Sequence, residues 1–406
     1  MDSMIVAAAQ ALAGGDVLGA LKRVALRDDA PALALRGIAM AQLGDLVRAK
    51  TLLKSATRAF GPREAVARAR CIVAQAEIAL VSRDLGWPEK ALETARAVLE
   101  RHGDNINAAH ARNLQIRRLL LVGHLDEAER LLAKLDPSPL PAAARASHEL
   151  AVAGIAIRRL RIERARAALR RAAEAAGKAG IPALAVEVGD AARVLDVPAA
   201  RLVARGSERL LSLDEVEALL SSGALVVDAC RNVVRGGGEI ISLARRPVLF
   251  ALARALAEAA PADVPRALLL CRAFRARHAD ESHRARLRVE VGRLRAALEP
   301  LAGIDATACG FALKPRLGRD VVVLAPPVEV ENAPLLALLS DGESWSSSAL
   351  SIALATSPRT VQRVLDMLAT AGMVQSVGNG RARRWMMPPV VGFPTTLLLP
   401  GPLPSD

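Results

Sequence analysis

Residues 345–386 read WSSSALSIALATSPRTVQRVLDMLATAGMVQSVGNGRARRWM, and this stretch decides how the chain is read. Leu350, Ile352 and Leu354 suit a short helix, and Ala355-Thr356 suits a tight turn. Ser357 is a good N-cap, because its hydroxyl can accept from an unpaired backbone N–H. Pro358 fits the first helical position, where no N–H is needed. Val361, Val364, Leu365 and Leu368 then fall at helical spacing and make one apolar face. Arg359, Thr360, Gln362 and Arg363 lie off that face. Gly372 ends the helix, and residues 373–377 alternate like a strand. Gly378-Asn379-Gly380 can supply the positive φ angles of a hairpin tip. Arg381, Arg383 and Arg384 follow on the returning strand, and Trp385 is expected to pack and close the hairpin.

This order of elements resembles the winged helix-turn-helix. A cationic hairpin beside a helix carrying Arg and Gln suits duplex DNA. Arginines meet phosphates or a narrow minor groove, and the helix reads base edges. The expected DNA contacts are therefore Ser357, Arg359, Thr360, Gln362 and Arg363 from the helix, with Arg381, Arg383 and Arg384 from the hairpin. The module is placed at residues 328–390, opening with a helix near 333–339, and a proline-rich tail follows at 391–406.

Upstream, at 206–318, the pattern is Gly-punctuated. Residues 225–230, 233–234 and 239–243 look like short strands broken by Gly236-Gly237-Gly238. Helices are expected at about 246–259, 264–276 and 281–298, and 303–313 reads as a hairpin. LRVEVGRLRAAL at 287–298 and CGFALKP at 309–315 resemble the recognition helix and closing wing strand of OmpR-type winged-helix domains. Leu287, Val291, Leu294 and Leu298 would face the core, flanked by Arg284, Arg286, Arg288, Arg293 and Arg295. The resemblance implies DNA contact through Arg284, Arg288, Arg293 and Arg295. The wing departs from that family: Ala306, Thr307 and Ala308 stand where a basic residue is common. This domain could therefore serve as a scaffold or dimer element. Residues 316–331 read as a linker around Ala325-Pro326-Pro327, with a possible strand at 321–324.

Residues 1–205 are rich in alanine and leucine and read as helical throughout. GGDVLGA, LGDLVRA, LGWPEKA, VGHLDEA and LRIERA close on Ala20, Ala49, Ala91, Ala128 and Ala165, spaced 29, 42, 37 and 37 residues apart. A turn before a helix whose small residue admits its neighbour resembles tetratricopeptide repeats, whose period is about 34. Such an array implies a groove for a peptide, another protein or a second copy of the chain. The expected fold is thus mainly α with small β wings: a TPR-like α-solenoid followed by two winged-helix domains.

Composition agrees with a folded, polyanion-binding chain. The 406 residues carry 55 Lys and Arg against 42 Asp and Glu, a net charge of +13. Mean hydropathy is +0.25. Aromatic residues make up 2%, with no tyrosine, so stacking platforms for single strands or RNA are poorly supplied. The same scarcity argues against a deep aromatic ligand pocket and leaves an aliphatic one open. Cys71, Cys230, Cys271 and Cys309 form no C-x-x-C pair and read as buried reduced thiols. Residues 4–13 are apolar, but Asp2 stands where a signal peptide needs positive charge. The prolines of the tail make a poor membrane helix. The arginines at 158, 159, 161, 164, 166, 170 and 171 read as a solvated face, with a phosphate-contacting patch as the alternative.

No G-x-x-x-x-G-K-[ST], G-x-S-x-G or H-E-x-x-H occurs, and His278 and His283 are spaced wrongly for one helix face. The sequence therefore points to a cytoplasmic, nucleoid-associated transcriptional regulator. It would bind double-stranded DNA as a homodimer, without cofactor, metal or catalysis. The alternatives are a protein-interaction scaffold and, more remotely, a hydrolase whose site follows none of these motifs.

Overall fold

A computed structural model describes residues 2–82, 84–274, 281–327, 333–339, 344–354, 356–370, 373–378, 380 and 383–386. The expectations placed on His278, Gly372, Asn379, Arg381 and the tail lie outside the described residues. The chain is mainly helical with small sheets. It divides into two compact units, Met1–Arg193 with Asn332–Asp406, and Val194–Glu331.

The first unit opens with helices stacked in sequence: α1 (Ser3–Ala13), α2 (Val17–Val24), α3 (Ala30–Gln42), α4 (Leu46–Ala59), α5 (Ala65–Val81), α6 (Glu89–Arg101), α7 (Asn105–Val122), α8 (Leu125–Leu132), α9 (Ala142–Arg158), α10 (Ile162–Ala179) and α11 (Pro182–Arg193). Each packs on the next, and the odd-numbered ones also pack on the helix two along. A Gly-Asp pair sets several of the turns. Gly15, Gly44 and Gly103 take positive φ, and the carboxylates of Asp16, Asp45 and Asp104 then accept from the first turn of the following helix. Each such cap contributes about 1 kcal/mol.

The recurring small residue has a structural meaning. Ala20, Ala49, Ala128 and Ala165 are the fourth residues of α2, α4, α8 and α10, and all are fully buried. In α6 the fourth residue is Leu92, which is buried, whereas Ala91 is only half-buried. The expectation for Ala91 is thus corrected by one position, because α6 starts one residue later relative to the motif. At Gly37 of α3 the close approach is explicit: a Cβ there would lie 2.8 Å from Leu53 Cγ of α4.

Polar contacts across successive helix pairs repeat at 33 or 34 residues. Lys50 Nζ meets Asp84 at 2.6 Å, and Arg70 Nε meets Asp104 at 2.7 Å. His110 Nε2 lies 3.0 Å from Glu77, Arg118 Nη2 donates to the Leu85 carbonyl at 3.1 Å, and Arg159 pairs with Asp126. Equivalent positions therefore touch, as stacked repeats require.

The helical array ends at Arg193, not near 205. Residues 200–204 form β1 (Ala200–Ala204), which pairs with β2 (Ser207–Leu211) across a turn in which Arg205 and Gly206 both take positive φ. Pro198 cannot continue a helix, and residues 200–204 instead pair antiparallel with both β2 and a strand at 321–325.

The second unit continues with α12 (Leu213–Ser221), β3 (Leu225–Asp228), β4 (Val233–Gly236), β5 (Glu239–Ser242), α13 (Pro247–Ala259), β6 (Val264–Pro265), α14 (Arg266–Phe274), α15 (Glu281–Leu298), β7 (Ala302–Ala306), β8 (Gly310–Pro315) and β9 (Val321–Ala325). A six-stranded sheet runs β2-β1-β9-β3-β4-β5, and a three-stranded one β6-β8-β7. Residues 321–325, expected inside a linker, form a central strand, parallel to β3 and antiparallel to β1. Its run Val-Val-Val-Leu-Ala is buried, as a strand covered on both faces should be. Gly237 and Gly238, both at positive φ, turn β4 into β5. Any side chain at Gly237 would collide with the Arg319 guanidinium. The core joins Leu225, Val227 and Val234 of the sheet to Leu252, Leu256, Leu287 and Val291 of the helices.

The first unit ends with α16 (Ala333–Leu339), α17 (Ser347–Ala353), α18 (Pro358–Thr370), β10 (Gln375–Val377) and β11 (Arg384–Met386). β10 and β11 pair antiparallel, and Trp345 bridges to Trp385. Leu335, Leu339, Trp345, Leu350, Val361, Leu365, Leu368 and Trp385 share one core, which also takes in Leu85, Leu121 and Val122 of the helical array. The segment therefore packs on the array and does not stand apart from it.

The cysteine expectation needs correction. All four are free, but only Cys71 is buried; Cys230, Cys271 and Cys309 are exposed. Apolar flanking sequence did not reveal that Cys271 falls on the outer side of α14 and Cys309 at the tip of the β7–β8 hairpin.

Candidate nucleic-acid interface

α18 begins as its sequence dictates. Ser357 Oγ accepts from the Thr360 amide at 3.1 Å and lies 2.8 Å from Thr360 Oγ1. Ser357 and Thr360 are thus committed to capping, although both are exposed. Val361, Leu365 and Leu368 are buried, which turns Arg359 and Arg363 outward. These two arginines stand one helical turn apart, exposed, and neither has a hydrogen bond or ion pair among the described residues. Gln362 is half-buried and donates to Asp366 Oδ1 at 2.9 Å.

On the hairpin, Gly378 and Gly380 take positive φ. Arg383 lays its guanidinium 4.2 Å from the centre of the Trp385 ring, and its Nη2 is 3.8 Å from Asp366 Oδ1. Arg384 is half-buried and holds the Arg383 carbonyl at 3.3 Å. Helix and hairpin are thus joined through Asp366, a residue whose role the sequence did not announce. Its spacing of four from Gln362 was the available signal.

In the second unit, Leu287, Val291, Leu294 and Leu298 of α15 are buried as expected. The arginines around them differ from one another. Arg284 pairs with Glu281 at 3.5 Å and Arg293 with Glu290 at 2.9 Å. Arg286 stacks on Phe274. Arg295 turns to the hairpin and donates through Nε and Nη2 to the Ile304 carbonyl, at 3.0 and 2.7 Å. Arg288 is exposed and makes no polar contact among the described residues.

The β7–β8 tip is also internally committed. Thr307 Oγ1 accepts from the Gly310 amide at 2.8 Å and bonds to Asp263. Arg266, overlooked in the sequence, donates to the Thr307 and Ala308 carbonyls and lies over the Phe311 ring. A Cβ at Gly310 would overlap the Val264 carbonyl, so the tip needs glycine there.

The arginine-rich stretch at the α9–α10 turn is neutralised in part. Arg159 and Arg161 share Glu129, Arg166 pairs with Glu163, and Arg171 makes two hydrogen bonds to Glu149.

No described helix is long and apolar enough to cross a membrane. Comparison with protein-family models, curated proteins and solved structures finds no match for this chain.

Proposed function

We propose that the chain is a sequence-specific, double-stranded DNA-binding transcriptional regulator. The observation that carries this reading is the pair Arg359 and Arg363, exposed and without a partner among the described residues, one turn apart on a helix sealed to its core, beside a hairpin arginine stacked on tryptophan. Two fixed cations on a rigid helix suit base-edge readout in a major groove. Arg383 and Arg384 suit the sugar-phosphate backbone. In this reading residues 333–386 act as a winged helix-turn-helix. The helical array acts as a TPR-like receiver of a signal, a peptide or a second protomer, supported by its contacts at 33 and 34 residues. The regulator would work in the cytoplasm at the nucleoid, as a homodimer on paired half-sites.

One observation favours a different role for the middle unit. Its element order supports an OmpR-like winged helix, but Arg266 and Arg295 are spent on backbone carbonyls, and Ala306, Thr307 and Ala308 leave its tip uncharged. In that unit Arg288 is left for DNA, with Arg284 and Arg293 each shared with a neighbouring glutamate, and scaffolding or dimer contact is the competing use.

Selection from a random duplex pool tests the reading. A consensus should emerge, and binding to it should weaken steeply with salt. Replacing Arg359 and Arg363 with Ala should abolish the consensus. Absence of any salt-sensitive duplex binding by the full chain would leave the protein-interaction scaffold as the better account.

A further inference from the structure

The helical array holds a cavity of about 300 Å³ bounded by α5, α6, α7 and α8. Its floor is aliphatic: Leu80, Leu92, Leu114, Leu119 and Leu131. Trp87, half-buried, forms part of the wall. Neither its indole N–H nor the amide of half-buried Gln115, also in the wall, has a hydrogen bond among the described residues. That is the composition of a small-molecule site: an apolar body with a few unmet polar groups.

The charges sort by depth. Arg96 and Arg112 are 19% and 18% exposed at their side chains, and both guanidiniums approach one oxygen, Glu100 Oε1, at 2.6 and 2.9 Å. Two cations on one carboxylate leave positive charge in surplus there, and Lys134 joins the same wall. The lining carboxylates lie further out or are engaged. Glu89, 57% exposed, pairs with Arg118, Asp84 pairs with Lys50, Glu127 is 52% exposed, and Glu93 is exposed. A charge counts for more where water is scarce, so the cationic end sets the preference.

One lining residue connects the cavity to the segment that carries α18. Leu85 lines it, and Leu85 belongs to the core of Leu335, Leu339, Trp345 and Trp385. Arg118, another lining residue, donates to the Leu85 carbonyl at 3.1 Å.

We infer that this cavity binds a small amphipathic carboxylate, its chain on the leucine floor and its head at Arg96 and Arg112, and that occupancy is passed through Leu85 to the C-terminal helices and hairpin. Binding itself is independent of the DNA reading; only the consequence for operator affinity rests on it.

Decanoate is a suitable probe, with decanol and decylamine as charge controls, all below their aggregation concentrations. Of the three tryptophans only Trp87 lines the cavity, so the part of the emission change that depends on Trp87 reports the site. Decanoate should give a saturable emission change that Trp87→Phe removes in large part, any remainder coming from Trp345 and Trp385. Decanol and decylamine should bind about tenfold more weakly, the ratio expected for one charge-assisted contact. Arg96→Gln with Arg112→Gln should weaken decanoate by a similar factor and leave decanol unchanged, with helical circular dichroism intact. Hydrogen exchange at 344–354 and 383–386 should slow or quicken on decanoate binding, measured without DNA. Equal binding of all three probes overturns the carboxylate assignment. No saturable binding overturns the site, and binding with unchanged exchange overturns the coupling. Failure to bind DNA, with these results positive, would fault the regulator reading and leave the cavity standing.

Discussion

Trp345 and Trp385 exchange two backbone hydrogen bonds, each 2.7 Å, and the two residues are 0% and 1% exposed. The bridge fastens the residue just before α17 to the last strand of the hairpin. Both arginine-bearing elements are thereby held against one core. Arg383 stacks on the outer part of this closure.

Removing the indole should therefore loosen the whole C-terminal segment. Trp385→Ala should cost ~3–5 kcal/mol locally, the range for a large core aromatic. Limited proteolysis should then cut within residues 344–386 while the helical array stays resistant. Trp385→Phe should show a smaller effect. Unchanged resistance in the Ala variant would mean that the bridge holds nothing in place.

The four thiols should separate by environment. Burial pushes the Cys71 thiol up to about 12; Cys230 is exposed as a residue, but partial desolvation of its thiol and then the nearby Asp228 carboxylate push it to about 11. A disulfide reagent at pH 8 should modify exposed Cys271 and Cys309 quickly, Cys230 slowly, and Cys71 only after unfolding. Mass spectrometry of the labelled peptides checks the order, and early labelling of Cys71 would contradict it.

Acid should act on the array through His148 of α9. Burial holds its imidazole below the ordinary 6.5, Glu149 and Asp136 oppose that shift, and Arg171 reinforces it. The folded state thus prefers the neutral ring, while the unfolded chain takes its proton near 6.5. The contribution is complete above pH 6.5 and declines as pH falls below it, by at most ~1.4 kcal/mol per pH unit for one proton. His148→Gln should flatten the fall in Tm between pH 7 and 5. Parallel profiles for the two proteins would show that another group controls the acid limb.

Local patterns were legible in the sequence, and distant pairings were not. The cap at Ser357, the apolar face of α18 and the glycine turn at Gly237-Gly238 each depend on neighbours a few residues away. β9 was legible only as a possible strand inside a linker, because its partner β3 lies almost a hundred residues earlier, and that pairing is what makes it a central strand of the sheet. The arginines show the same limit at the site. Exposure of Arg359 and Arg363 follows from helical period alone. The engagement of Arg295 with the Ile304 carbonyl depends on where the next hairpin folds back. Leu92 in place of Ala91 shows how one residue of register can mislead a repeat alignment.

Under the proposed DNA reading, Asp366 gives the most direct test of how helix and hairpin would divide the work. Its carboxylate holds Gln362 and faces Arg383 on the side expected to meet phosphate. These exposed contacts contribute little to stability, ~1 kcal/mol or less. Asp366→Asn keeps an acceptor for Gln362 and removes a negative charge. Affinity should rise several-fold on every duplex with the specificity ratio unchanged. Asp366→Ala also frees Gln362 and should alter base preference at one position. Arg383→Ala should weaken all duplexes alike and flatten the plot of log affinity against log salt by up to ~0.9 for each phosphate left without its arginine. Arg359→Ala or Arg363→Ala should cost ~1–3 kcal/mol on the preferred sequence and much less on random DNA. Binding isotherms at several salt concentrations separate these outcomes. If all five variants keep the parental affinity while the fold persists, α18 is not the reader, and Arg288 and Arg293 of α15 become the residues to replace next.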